Sequence, residues 1–210
     1  MSTENSAAAH GHSAGIPAGT EIQLIPGFWS NLPKIGGALG ILGIGASIFL
    51  SMGDMKQFYF SYLVAFMYFL SIALGALFFV LAHYVTKAGW NIVVRRIAEN
   101  LMGTLPVFAL LFIPIAVGMH DIFHHWADET VVANDPLLQK KVAYLNVPFF
   151  YVRAALYFVI WTFMGRYLWI RSVRQDETGD HDVSRRLRNR SAPFLFLFAL
   201  SVTYAVFDWV

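Results

Sequence analysis

Five stretches of this chain are long and apolar enough to cross a bilayer, and most charged residues lie between them. The most continuous is Phe58–Tyr84, FYFSYLVAFMYFLSIALGALFFVLAHY, which contains no acid, lysine or arginine. About 20 apolar residues span the hydrocarbon core, so this stretch predicts a transmembrane helix. Tyr59, Ser61, Tyr62, Tyr68, Ser71 and Gly75 interrupt its Phe and Leu. Small and hydroxyl side chains let helices approach closely and hydrogen-bond within a membrane, so the helix reads as one wall of a bundle. Comparable patterns predict the other spans at about 33–52, 100–120, 147–169 and 193–210. The expected fold is therefore an all-α integral membrane protein with five transmembrane helices, residues 31–210 forming a helical bundle.

The remaining segments are more polar. Residues 1–30 are rich in Ala, Ser, Gly and His and lack a core-forming pattern, which predicts a flexible tail. His10 and His12 could bind an adventitious metal, but a polar tail is the expected reading. Span one contains Gly36, Gly37, Gly40, Gly43 and Gly45, and span three contains Pro106 and Pro114. The glycines predict tight helix packing and the prolines predict kinks. In Gly89–Asn100, Trp90, Val93, Val94 and Ile97 recur at helical spacing. They predict either an amphipathic interfacial helix or an extended start of span three.

Composition agrees with the pattern: 57% of the 210 residues are hydrophobic and cysteine is absent. The missing cysteine removes disulfides, thiolate nucleophiles and cysteine-ligated iron–sulfur clusters or haem attachment from this chain. A formal charge of +2 says little by itself, because the charges are segregated. Lys87, Arg95 and Arg96 follow span two, and Arg171, Arg174, Arg185, Arg186, Arg188 and Arg190 follow span four. The segments after spans one and three are poorer in net positive charge. Positively charged loops stay in the cytoplasm, so the N-terminus is expected to be cytoplasmic. The segment Arg171–Arg190 also holds Asp176, Glu177, Asp180 and Asp182 and is expected to be a mixed, solvated loop.

That orientation sorts the polar residues by depth. His120 and Asp121 lie where span three leaves the membrane, and Tyr151 and Arg153 lie where span four enters. Asp208 is roughly 23 Å along its helix from Pro193, towards the same outer side. Tyr59 and Tyr62 open span two. Ionisable residues inside a span are functional-site candidates, and Arg153 is a natural partner for Asp208. A quinol loses two protons on oxidation, which a histidine and a carboxylate can accept between aromatic walls. On that reading His120, Asp121, Asp208 and Arg153 handle protons, while Tyr59, Tyr62 and Tyr151 shape a pocket. The competing reading makes Arg153–Asp208 a structural ion pair and leaves His120, Asp121, His124 and His125 facing water. At the opposite side, His83, Tyr84, Glu99, Asn100 and Arg166 are either a proton path or ordinary interface residues. His83 and His120 are separated by about 25–30 Å of bilayer and cannot ligate one haem. No phosphate-binding loop, dinucleotide fingerprint or nucleophile elbow occurs.

The strings FYFSYLVAFMYFLSIALGALFFVL, AGWNIVVRRIAENL, GMHDIFHHW and the late FDW resemble the smaller polysulfide-reductase-type (NrfD-like) membrane subunit of bacterial alternative complex III, a quinol:electron-acceptor oxidoreductase. The resemblance runs from about Pro26 onward and is most specific around Tyr59–Gly89. It implies an NrfD-like four-helix bundle of spans two to five, with this chain roughly the N-terminal half of a longer subunit. It implies other membrane subunits and partners carrying iron–sulfur clusters and c-type haems, lipid around the spans, and no nucleic acid. It also implies a menaquinone or ubiquinone as the bound cofactor and a bacterial cytoplasmic membrane as the location. The expected function is then a membrane subunit of a quinol-oxidising respiratory complex, forming or supporting a quinone and proton site near the outer face. Its alternative is a structural or proton-translocating subunit without a quinone site of its own. A secondary transporter would need broken helices and polar groups at mid-membrane, and span two offers only Tyr68 and Ser71 there.

Overall fold

The computed structural model describes residues 28–51, 53–86, 92–178 and 181–209. Among them it is all-helical, and five helical segments are long and apolar enough to cross a membrane: Ser30–Phe49, Met55–Thr86, Val94–Val117, Val147–Arg174 and Arg185–Trp209. The expected tail, residues 1–30, lies mostly outside the described residues, with Phe28–Ser30 beginning the first helix.

Residues up to Phe49 and those from Leu50 onward form two separate units. The described part of the first is essentially helix α1 (Phe28–Leu50), with Pro33 inside its second turn. The Ser47 hydroxyl donates to Gly43 O at 2.8 Å. That bond keeps its polar group satisfied within its own helix, as a lipid environment demands.

The second unit is a bundle of four spans. Span two is the single helix α2 (Met55–Thr86). Span three is built from α3 (Ile92–Met102), α4 (Leu105–Leu111) and α5 (Ile113–Val117). Short helices α6 (Met119–Ile122), α7 (His124–Ala127), α8 (Glu129–Asn134) and α9 (Pro136–Gln139) lead across one end of the bundle. Span four is α10 (Val147–Thr178) and span five is α11 (His181–Trp209). Span two packs on spans three and five, and span four packs on the same two. The four helices therefore close a ring in chain order.

The core is apolar and aromatic. Leu77, Val80 and Leu81 of α2, Leu105 of α4, Phe150, Trp161 and Met164 of α10 and Leu187 of α11 are fully buried. Phe112 stands at the centre of one end, with ring centroids 5.0 Å from Trp209, 5.5 Å from Phe158 and 6.3 Å from Phe150. Such aromatic pairs contribute about 0.5–1.5 kcal/mol each beyond area burial.

Span three departs from a simple kinked helix. It breaks at Gly103–Thr104, at Phe112 and at Gly118, and Pro106 and Pro114 sit in the first turns of α4 and α5. Proline lacks an N–H that a first-turn residue does not use, so each proline restarts a helix rather than bending one. The carbonyls at the breaks still need donors. The Tyr62 hydroxyl of α2 donates to Leu111 O at 2.7 Å. The Tyr151 hydroxyl of α10 donates to Ala116 O at 2.9 Å. The neighbouring helices thus satisfy the broken span from both sides.

Other boundaries also move. The segment Gly89–Asn100 becomes α3 from Ile92, a helix set off from α4 by the break at Gly103–Thr104 and overlapping the apolar segment Val94–Val117; Trp90 lies outside the described residues. The helix of span five extends beyond the expected apolar stretch: α11 begins at His181 and carries Pro193 in its interior. The expected loop Arg171–Arg190 is largely helix, with Arg171 and Arg174 on α10 and Arg185, Arg186, Arg188 and Arg190 on α11. Arginine is a good helix former and its long stem lies along apolar surface while the charge reaches out, so charge alone does not end a helix.

Candidate functional site

A buried polar network occupies one end of the bundle, where α10 and α11 meet. Arg153 and Asp208 are only 6% and 7% exposed. Arg153 Nε donates to Asp208 Oδ2 at 2.8 Å and an Arg153 terminal nitrogen donates to Oδ1 at 2.9 Å, a two-pronged contact. The Tyr144 hydroxyl donates to Asp208 Oδ1 at 3.0 Å and the Tyr157 hydroxyl donates to Oδ2 at 2.8 Å. The other terminal nitrogen of Arg153 donates to Tyr144 O at 2.8 Å. Its guanidinium also lies 4.0 Å from the Tyr144 ring centroid and 4.5 Å from that of Phe149. Guanidinium over an aromatic face is itself attractive.

The network follows from local geometry. Arg153 and Tyr157 are four residues apart on α10, so they share one face. Tyr144 precedes that helix and folds back over its first turn. Asp208 comes in from the end of α11. Four donors meet one carboxylate, so the ionised form is fully compensated; a buried charge is tolerated only when paired and hydrogen-bonded. The phenol of Tyr144 is pushed above its usual range by burial, then by its bond to and repulsion from the Asp208 carboxylate.

Sequence reasoning named Arg153 and Asp208 and missed Tyr144 and Tyr157. The four-residue spacing of Arg153 and Tyr157 was a usable signal. Tyr144 had none, because it sits in the connection and reaches its place through tertiary packing.

The other candidates gather at the same end without joining that network. Tyr59 packs its ring flat against Gly118, where a β-carbon would collide with it. Tyr62 and Tyr151 give their hydroxyls to span-three carbonyls, as described. Their hydroxyl protons are therefore engaged in holding span three rather than pointing into a cavity. His120 and Asp121 are exposed on α6. The side chain of Asp128 at the start of α8 accepts from the Thr130 hydroxyl and amide at 2.7 and 2.8 Å. These bonds are the main reason its carboxyl is held below the usual carboxylate range, with His120 a smaller contributor.

Two clefts at this end have volumes of about 360 and 470 Å³. The first is walled by Trp126, Val132, Leu145 and Pro148 and the second by Lys140, Lys141 and Tyr144. Neither is lined by His120, Asp121, Arg153 or Asp208. Among the described residues no cluster of three or more His, Asp or Glu is placed to hold a metal ion.

A second charged group sits at the opposite end, in span three. Glu99 is fully buried. Its Oε2 accepts from Arg96 at 2.7 Å, and Oε1 lies 3.5 Å from Arg95 Nε. The Arg95 guanidinium is 5.7 Å from the Tyr84 ring centroid. Glu99, read from the sequence as either part of a proton path or an interface residue, is fully buried.

No protein-family model and no curated protein matches this chain.

Proposed function

We propose that this chain is an integral membrane subunit of a quinol-oxidising respiratory electron-transfer complex, and that it supports quinone and proton chemistry near one face while partners carry the electrons. The observation that carries this reading is the group of ionisable side chains at the end of the bundle where α10 and α11 meet, with Arg153–Asp208 buried and His120–Asp121 exposed at the same end. The likeness of the span-two and span-three strings to NrfD-like subunits of alternative complex III supports the quinol assignment. A chain without cysteine depends on iron–sulfur and haem subunits for electron transfer. The positive-charge distribution supports a cytoplasmic N-terminus, and the same likeness to NrfD-like subunits supports a bacterial inner membrane.

Within this reading the groups divide their work. His120 and Asp121 exchange protons with a menaquinol or ubiquinol headgroup and with water. Arg153, Tyr144 and Tyr157 hold Asp208 through four hydrogen bonds, so that Asp208 anchors the end of span five. Tyr59, Tyr62 and Tyr151 hold span three in place, and with it α6.

A second reading, a scaffold or proton-translocating subunit without its own quinone site, is favoured by one observation: both oxygens of Asp208 are saturated by four donors. The two separate experimentally. His120→Ala and Asp208→Asn in the intact complex, assayed for quinol oxidation, should raise KM or lower kcat under the first reading. Unchanged turnover and quinol affinity in both variants leave the second.

A further inference from the structure

Between span three and α10, at the arginine-rich end, a lateral cleft of about 530 Å³ opens beside the break at Gly103–Thr104. The proposed quinol chemistry uses none of it. Its polar lining comes from Asn100, Thr104, Thr162 and Arg166, with Trp169 at its edge, and Glu99 forms part of its wall. The cleft exists because α4 restarts after the break and because Gly165 brings α10 close to span three. A β-carbon at Gly165 would stand 3.5 Å from Met102 O.

Arg166 is the unusual member. It is exposed and makes no hydrogen bond or ion pair among the described residues. It nevertheless lies within the apolar segment Val147–Arg174. If a hydrocarbon core of about 30 Å is centred on that segment, Arg166 is about 6 Å inside its boundary. An arginine at that depth needs a counter-charge or a route to the headgroups. The one acid that lines the cleft, Glu99, pairs with Arg96 and Arg95 and makes no ion pair with Arg166. Arg166 is therefore left beside hydroxyl and amide groups of the cleft without an ion-pair partner among the described residues. Trp169, 43% exposed, marks the headgroup level, where tryptophan concentrates.

We propose that this cleft binds the headgroup of an anionic phospholipid, with its phosphate on Arg166 and within reach of Thr104, Thr162 and Asn100. A guanidinium binds a phosphate in a two-pronged geometry, and basic pockets between membrane helices suit anionic headgroups. Exposed Val107 and the apolar flank of α4 would border the acyl chains. The proposal needs only that the spans lie in a membrane, and does not depend on the quinol reading.

The test uses the full chain in phosphatidylcholine vesicles doped with spin-labelled phosphatidylglycerol or spin-labelled phosphatidylcholine. The protein-bound fraction of each probe gives a relative association constant. Wild type should prefer phosphatidylglycerol, and Arg166→Gln should reduce that preference about five-fold, as expected for one cationic group near the surface. Thr162→Trp, which fills the cleft without changing charge, should lower it as well. Arg190→Gln, an exposed arginine outside the cleft, should leave it intact, and unchanged melting temperatures verify the fold of each variant. Equal binding of both lipids by wild type, an unaltered preference in Arg166→Gln, or an equal loss in Arg190→Gln overturns the proposal. Displacement of the lipid probe by millimolar soluble glycerol phosphate would also overturn it, by identifying a site for a soluble phosphate ester.

Discussion

Replacing Asp208 by Leu removes the acceptor of four hydrogen bonds and leaves Arg153 as an uncompensated cation in a site where it is 6% exposed. Removing one partner of a buried ion pair costs about 3–5 kcal/mol in globular proteins. Hydrogen bonds between membrane helices contribute less, about 0.6 kcal/mol on average, because the separated helices also find partners. The Arg153 contact is two-pronged and charged on both sides, so Asp208→Leu is expected near the lower end of the ion-pair range, about 3 kcal/mol. The double variant Arg153→Met with Asp208→Leu removes both charges and fills similar volume, and it should recover more than half of that loss. Reversible unfolding in mixed detergent–SDS micelles, followed by tryptophan fluorescence, measures both. Trp209 is buried beside Asp208, so the signal includes a reporter at this end of the bundle. If Asp208→Leu unfolds within about 0.5 kcal/mol of wild type, the network does not anchor span five. If the double variant is no better than the single one, the loss is one of shape rather than of unpaired charge.

Further outcomes follow from the same geometry. Gly118→Ala should destabilise the bundle by about 1–3 kcal/mol, because its β-carbon meets the Tyr59 ring. Adding Tyr59→Leu should restore part of that loss in the same unfolding assay. Ser201→Ala orphans the buried Trp161 indole N–H, which donates to Ser201 Oγ at 2.9 Å, and should cost about 1–3 kcal/mol. Tyr62→Phe and Tyr151→Phe each free one span-three carbonyl and should lower stability by about 0.5–1.5 kcal/mol. Quinol KM in the intact complex should stay unchanged in both, since these hydroxyls face backbone. Asp128 caps α8 with a carboxyl held below its usual value. Its stabilisation is therefore complete above the ordinary carboxylate pKa and fades as pH falls through the lowered one. Amide exchange at Thr130 should accelerate over that acidic window, and Asp128→Asn should flatten the dependence.

The apolar stretches sufficed for the class of fold and the number of spans. A bilayer demands long unbroken hydrophobicity, and that demand is written locally in Phe58–Tyr84. The pairing of Arg153 with Asp208 was legible too, because a buried charge requires a partner and few others were available at that depth. Helix ends were less legible. Arginines at 185–190 and Pro193 look like punctuation, yet α11 runs through them, because the cost of one lost hydrogen bond is small beside the packing of the whole helix. Only the tertiary structure decided the rest. It brought Tyr144 from a connecting segment onto Asp208 and turned Tyr62 and Tyr151 into donors for a broken neighbour. It also left His120 on the outside of the bundle rather than over the ion pair. Those outcomes depend on which carbonyls a broken helix leaves unpaired and which side chains stand within about 3 Å of them. Residue order along the chain does not encode that distance. It arises when four helices close into one ring.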